Sequence, residues 1–253
     1  DIWGQRSSID LEAPDLSLHL HLNRETAVLS LDGSGGSLHR RGYRAAMGVA
    51  PLKENLAAGL IQLSGWDGSV PLVDPCCGSG VLLIEAALMA LQQAPSLGRN
   101  FGLEGWADFQ PELWQEECDR AQKRRRGDLN LPPLLGIEQD PLVAEQARVN
   151  IAAAGLEGVI EIREGSFTEH DLPDGPGVLV CNPPYGQRIG EEEELDHLYS
   201  ALGGYVRQQA SGWQLWLLSG NPKLTGGLRM KASRRIPISN GGIDCRWLHY
   251  SIR

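Results

Sequence analysis

One stretch limits the folds open to this chain more than any other. Pro71-Leu72-Val73 reads as a short buried strand, Asp74-Pro75-Cys76-Cys77-Gly78-Ser79-Gly80 as a glycine-rich turn, and Val81 to Leu91 as an apolar helix. Strand, turn and helix in that order make the opening βα unit of a doubly wound α/β fold. Gly78 and Gly80 let a ligand approach the backbone at the carboxyl end of a strand, where such sheets bind ligands. The turn is not a dinucleotide Gly-x-Gly-x-x-Gly, because Leu83 takes the last glycine's place, nor a Walker loop, because no Lys follows. Asp74 beside it suits a positively charged or amine-bearing ligand better than a pyrophosphate.

A second stretch says more about chemistry. Val178-Leu179-Val180-Cys181 reads as a buried strand and runs into Asn182-Pro183-Pro184-Tyr185, with Gly186 after it. Proline lacks an N–H and restricts the residue before it, so the chain must leave the sheet here. It presents an amide side chain, carbonyls freed from ladder bonding and an aromatic ring at one point. That equipment grips a flat molecule carrying an exocyclic amine.

The remaining pattern fits around these two. Leu16 to Leu22 alternates strictly and predicts a half-buried strand, Thr26 to Leu31 a second, and Asp32 to Gly36 a turn-rich linker. His19 and His21 share a face of the first strand, read here as an exposed polar face rather than a metal site. Pro51 opens a helical pattern carried by Leu52, Leu56, Leu60 and Leu63. Residues 94 to 133 interrupt the alternation with Trp106, Phe109, Trp114 and a helix into Lys123-Arg124-Arg125-Arg126. Leu134 to Glu138 predicts the next strand, and Asp140-Pro141 opens a helix ending near Gly155. Val159 to Arg163 and Trp213 to Ser219 read as strands, Leu195 to Gln209 as a helix. Arg234 to Ile238 and Cys245 to Ile252 flank Asn240-Gly241-Gly242 as a closing antiparallel hairpin. Glu138 stands at a strand end, where a carboxylate accepts hydrogen bonds from ribose hydroxyls in this fold. Gly165-Ser166-Phe167 sits where an adenine ring would lie.

Charge bears on the partner. The net charge of −9 is awkward for a nucleic-acid enzyme, since phosphates want Lys and Arg. Yet Arg40, Arg41 and Arg44 cluster, as do Lys123 to Arg126, and Lys231 with Arg234 and Arg235, while acid gathers at Glu191 to Glu194. The five cysteines show no Cys-x-x-Cys spacing, which points to reduced thiols, no metal and a cytoplasmic setting. Cys77 and Cys181 fit inert buried thiols better than nucleophiles. No apolar run reaches bilayer length and no signal segment opens the chain, whose first residue is Asp1, as expected of a fragment.

Together, Asp74 to Gly80, Glu138 and Asn182 to Tyr185 fall in order at successive strand ends. They resemble the class I S-adenosylmethionine-dependent methyltransferases that modify exocyclic amines. Arg40-Arg41-Gly42-Tyr43-Arg44, Ala50-Pro51-Leu52-Lys53-Glu54, Gly98-Arg99-Asn100-Phe101 to Trp106 and Asn240-Gly241 narrow the resemblance to the bacterial 23S rRNA guanine-N2 methyltransferases of the large-subunit type. It covers roughly residues 30 to 253 and implies a doubly wound, mostly parallel sheet with an antiparallel C-terminal hairpin. It further implies that residues 1–39 are the remnant of an N-terminal THUMP-type RNA-binding region with its linker, and residues 40–253 the methyltransferase domain. The combined reading assigns cofactor binding to Asp74, Cys77, Gly78, Gly80, Glu138, Ser166, Phe167 and Asn182. It assigns catalysis to Asn182, Pro183 and Tyr185, and RNA binding to Arg41, Tyr43, Arg44 and Tyr185. The family often has Asp where Ser166 stands. Adenine-N6 methylation of DNA, glutamine-N5 methylation of protein and a non-catalytic RNA adaptor remain alternatives to guanine-N2 methylation of 23S rRNA.

Overall fold

The structure is a computed structural model that describes residues 9–10, 14–44, 52–127, 130–185 and 192–253. Strands β1 (Ser17–Asn23) and β2 (Thr26–Asp32) pair antiparallel as a separate two-stranded sheet. The expected half-burial of the first strand is not found. Leu18, Leu20 and Leu22 are 59%, 62% and 68% exposed. The register sets Leu18 opposite Leu31 and Leu20 opposite Leu29, so the alternation gathers its leucines on one face. No described residue covers that face. The linker beyond β2 lies on the segment 99–106: Leu103 N–H donates to Gly33 O at 3.0 Å, and Arg99 Nη2 to Ser34 O at 2.8 Å.

The main sheet follows, with α1 (Glu54–Ser64), β3 (Leu72–Asp74), α2 (Val81–Ala90), α3 (Pro111–Arg124), β4 (Leu134–Glu138), α4 (Pro141–Ala153) and β5 (Ile160–Glu164). Next come β6 (Val178–Cys181), α5 (Glu192–Gln209), β7 (Gln214–Ser219), α6 (Pro222–Gly226), β8 (Arg234–Asn240) and β9 (Ile243–Ser251). In space the order is β5-β4-β3-β6-β7-β9-β8. The first five of these strands run parallel, and β9 joins β7 antiparallel. This is the doubly wound sheet with the closing hairpin that the sequence predicts.

Burial explains the run-like apolar strands. All four residues of β6 and the first four of β4 are buried, because helices cover both faces of a parallel sheet. One core joins α1 and α2 to Trp216 and Trp247; the other joins α5 to Phe167, Leu179 and Leu217. Residues Val81 to Leu88 of α2 are all buried, so this helix is wrapped by sheet and α1 together. The helix expected from Pro51 begins at Glu54, while Ala50, Pro51, Gly186 and Glu191 lie outside the described residues. Among the described residues no helix is long and apolar enough to cross a membrane.

Strand order reverses between β3 and β6, since β4 and β5 lie to one side of β3 and β6 and β7 to the other. Ligands bind in the crevice at such a switch point, outside the carboxyl ends of the strands. The register pairs Val73 with Leu179, which brings Asp74 and Asn182 to the same end of adjacent strands.

Candidate active site

Asp74 ends β3 and is 1% exposed. Its Oδ1 accepts from Cys76 N–H at 3.1 Å. Burial lifts its carboxyl to about 8, the Cys76 N–H opposing this and the Glu138 charge adding to it. Strand pairing continues into the turn, where Cys77 N–H donates to Ile137 O at 3.0 Å. Gly78 then takes φ +53 and Gly80 φ +83, left-handed angles that favour glycine. A Cβ on Gly78 would meet nothing within 4 Å, so open space adjoins the backbone there.

Glu138 ends β4 and closes the turn from the other side. Its Oε2 accepts from Gly78 N–H at 2.9 Å and its Oε1 from Asp140 N–H at 3.0 Å. Each carboxylate oxygen keeps a further lone pair. Gly165 N–H donates to Glu138 O at 3.0 Å, which sets the chain after β5 beside the same residue. Glu138 thus links the carboxyl ends of β3, β4 and β5.

Several expected site residues do something else. Phe167 is 5% exposed, its ring 5.3 Å from that of Tyr205 within the core under α5. Ser166 caps the short 3-10 turn Phe167–Glu169, its Oγ accepting from Thr168 N–H at 3.3 Å. Cys77 is buried, and its Sγ would lie 2.9 Å from a Cβ on Gly136, so its side chain is packing. Burial pushes the thiols of Cys77 and Cys181 well up, which keeps them protonated and poor nucleophiles.

Arg41, Tyr43 and Arg44, expected to contact RNA, are paired within the domain. Arg41 reaches Glu85 of α2 through Nη2–Oε2 at 3.2 Å and Nε–Oε1 at 3.3 Å, and Tyr43 OH donates to the same carboxylate at 2.9 Å. The Glu85 side chain is 2% exposed and Tyr43 5%. Arg44 pairs with Glu54 at 3.3 Å and donates to Leu52 O at 2.7 Å. Buried acids on α1 and α2 claim these side chains, and a buried charge is stable only with such partners.

Asn182 is the first residue beyond β6. Its Oδ1 is buried and accepts no hydrogen bond. Leaving a buried acceptor unmet costs about 1–3 kcal/mol. Pro183 is buried and Pro184 exposed. Half-buried Tyr185 accepts at its hydroxyl from Asn240 Nδ2 at 2.8 Å. The sequence shows Asn240 only as a turn residue, and Glu85 only as one member of an apolar helix; neither partner is legible before folding. Among the described residues no three His, Cys, Asp or Glu gather as a metal site.

The crevice therefore offers open backbone at Gly78, a carboxylate with lone pairs to spare at Glu138, a buried acid at Asp74 and an unmet amide oxygen at Asn182. These fit a ligand with hydroxyl and cationic groups next to a planar amine.

The chain is similar to known proteins along most of its length. The profile of the RMKL-like methyltransferase domain family matches residues 41–249. A protein of Synechocystis sp. named as an RNA methyltransferase is 42% identical over 253 residues, 100% of this chain and 66% of its own length. A ribosomal RNA large subunit methyltransferase K/L of Marinomonas sp. is 43% identical over 255 residues, 96% of this chain and 35% of its own. The chain thus spans just under two thirds of one curated relative and about a third of the other. The structure of SMU.472, described as a methyltransferase and complexed with S-adenosylhomocysteine, has a TM-score of 0.89 at 30% identity, covering 96% of this chain and 63% of that one. With its switch-point crevice and the family's profile over most of its length, this chain belongs to the RMKL-like methyltransferase domain family.

Proposed function

We propose that this domain transfers a methyl group from S-adenosylmethionine to the exocyclic amine of an RNA base, and that the base is a guanine of 23S ribosomal RNA, methylated at N2. The observation that carries the reading is the buried, unmet Oδ1 of Asn182 at the switch point. Buried acceptors are almost always paired, and an exception in a crevice is a place kept for a donor. The two curated relatives are named for RNA and ribosomal RNA, which supports RNA as the substrate.

S-adenosylmethionine, when bound, supplies a methyl group already activated by its sulfonium. Gly78 and Gly80 would leave it room against the turn, Glu138 would accept from its hydroxyl groups, and Asp74 would offset its positive charge. An exocyclic amine is a weak nucleophile because its lone pair is delocalised into the ring. Asn182 Oδ1 and the Pro183 carbonyl accept its two N–H groups and stabilise the positive charge that grows on nitrogen during attack, until the nitrogen loses one proton to water. Tyr185 stacks on the base and fixes its plane, so alignment and electrostatics carry the catalysis. The base reaches the crevice unstacked, from a loop or by extrusion. In the same reading residues 1–39 come from a THUMP-type RNA-binding region and residues 40–253 are the transferring domain.

The test offers total RNA, duplex DNA and protein with labelled methyl donor, then maps the labelled nucleoside. N2-methylguanosine in 23S rRNA is expected. Asn182→Ala should abolish transfer and leave donor affinity within about twofold, the outcome for a group that acts mainly in the transition state. Label in DNA or protein alone, or normal transfer by Asn182→Ala, would refute the proposal.

A further inference from the structure

The C-terminal hairpin reaches the switch point through Tyr185, which Asn240 of β8 hydrogen-bonds and Cys245 of β9 adjoins. Asn240 closes β8, and Gly241 and Gly242 after it both take positive φ, +60 and +87. Two left-handed residues make the tight two-residue hairpin turn, which fixes the register Asn240↔Ile243. That turn holds the Asn240 side chain so that Nδ2 donates to the Tyr185 hydroxyl at 2.8 Å, across 55 residues of sequence. The ring is held elsewhere as well. A Cβ on Gly220, which follows β7, would lie 3.3 Å from Tyr185 Cδ2, 3.3 Å from Cys245 Sγ and 3.2 Å from Ile243 Cγ2. Gly220 thus packs its bare backbone on the ring, beside the two β9 residues.

We infer that Asn240 is a positioning residue for methyl transfer, acting through Tyr185. The inference rests on the proposed role of Tyr185 as the surface on which the target base stacks. Tyr185 itself stands in a loop beyond β6, not in a strand. A ring placed by its backbone alone could turn about χ1 and χ2, because it does not follow regular structure. With its hydroxyl tied to β8 and its edge on Gly220, it is held from the hairpin side, and the plane offered to the base is set by the sheet. The hairpin is then part of the transfer site rather than a mere edge to the sheet. A flat amine-bearing base is the substrate class this clamp suits, since a small change of ring tilt would move the amine away from Asn182.

Five proteins test this: wild type, Asn240→Ala, Asn240→Asp, Tyr185→Phe, and Asn240→Ala in the Tyr185→Phe background. Asn240→Ala should lower kcat by about tenfold to a hundredfold, the scale of losing alignment, with donor Kd and Tm near wild type. Asn240→Asp should restore most of the rate, because the Tyr185 hydroxyl can rotate and donate to a carboxylate. In the Tyr185→Phe background Asn240→Ala should add less than about twofold, as expected when two residues act through one contact. A fluorine signal from 3-fluorotyrosine at position 185 should shift in Asn240→Ala and not in Asn240→Asp. Wild-type kcat in Asn240→Ala, or equal loss with and without the Tyr185 hydroxyl, overturns the inference. Should the wild type transfer nothing to RNA while the fluorine signal still responds, the proposed function has failed and the positioning role falls with it, the contact remaining as structure only.

Discussion

The backbone N–H of Gly78 donates to Oε2 of Glu138 at 2.9 Å, joining residues 60 apart in sequence. One carboxylate therefore shapes the glycine turn and also faces the space that turn leaves open. Its two jobs predict two different losses. Glu138→Gln keeps the shape but removes the charge and one of the two acceptor oxygens. Glu138→Ala removes both acceptors and leaves the N–H groups of Gly78 and Asp140 unmet. Isothermal titration with S-adenosylhomocysteine should show Glu138→Ala weaker than Glu138→Gln, and both at least about tenfold weaker than wild type, one tenfold step being 1.4 kcal/mol.

Asp74 predicts a pH effect with a fixed sign. Its carboxyl titrates near 8 in the folded protein against 3.8 as the ordinary value. Between those values the folded state holds a proton that the unfolded state releases, so stability falls as pH rises from about 4 to about 8. Asp74→Asn removes that dependence and should raise Tm at pH 8 more than at pH 5, while losing affinity for a cationic ligand. In the wild type, a cation beside Asp74 favours the carboxylate. Binding should then release a proton below pH 8 and tighten as pH rises toward it. Titration calorimetry in buffers of different ionisation enthalpy reads the proton directly.

Arg41 should matter to stability rather than to RNA. Breaking a buried ion pair by removing one partner costs about 3–5 kcal/mol, and Arg41→Ala leaves Glu85 in that state, its carboxyl pushed up by burial with less opposing charge. Urea unfolding should show the loss. Arg41→Met with Tyr43→Phe and Glu85→Leu should recover most of it, since an apolar replacement of the whole cluster leaves no orphaned charge. The salt dependence of RNA binding should be unchanged by Arg41→Ala, because a phosphate contact would have reduced its slope.

Gly136 sits inside β4, under the turn. A Cβ there would lie 2.6 Å from Ile162 Cδ1 and 2.9 Å from both Cys77 Sγ and Leu83 Cδ1. Gly136→Ala should destabilise by about 1–3 kcal/mol as overpacking, and donor affinity should fall with it, because Cys77 leads directly into Gly78. A variant of wild-type stability and affinity would show that the turn is not braced from below.

The strand ends were legible in sequence because the signals there are local. Two prolines after Val178 to Cys181 stop a ladder wherever they occur, and glycines at 78 and 80 permit positive φ without reference to the rest of the fold. Runs of buried residues at β4 and β6 likewise announce a covered parallel sheet. Partners of side chains are not local. Arg40 to Arg44 reads as a basic, aromatic loop because charge is visible in sequence, whereas the buried Glu85 that takes Arg41 and Tyr43 is one acid within an apolar helix. Phe167 follows the right strand for an adenine contact, yet it packs on the ring of Tyr205 in the core. The sequence alone determined which strands form, where they end and which residue types stand at those ends. Only the tertiary structure decided that Glu138 grips Gly78, that Asn182 Oδ1 goes unmet and that Asn240 reaches Tyr185, because each depends on elements brought together by the sheet order.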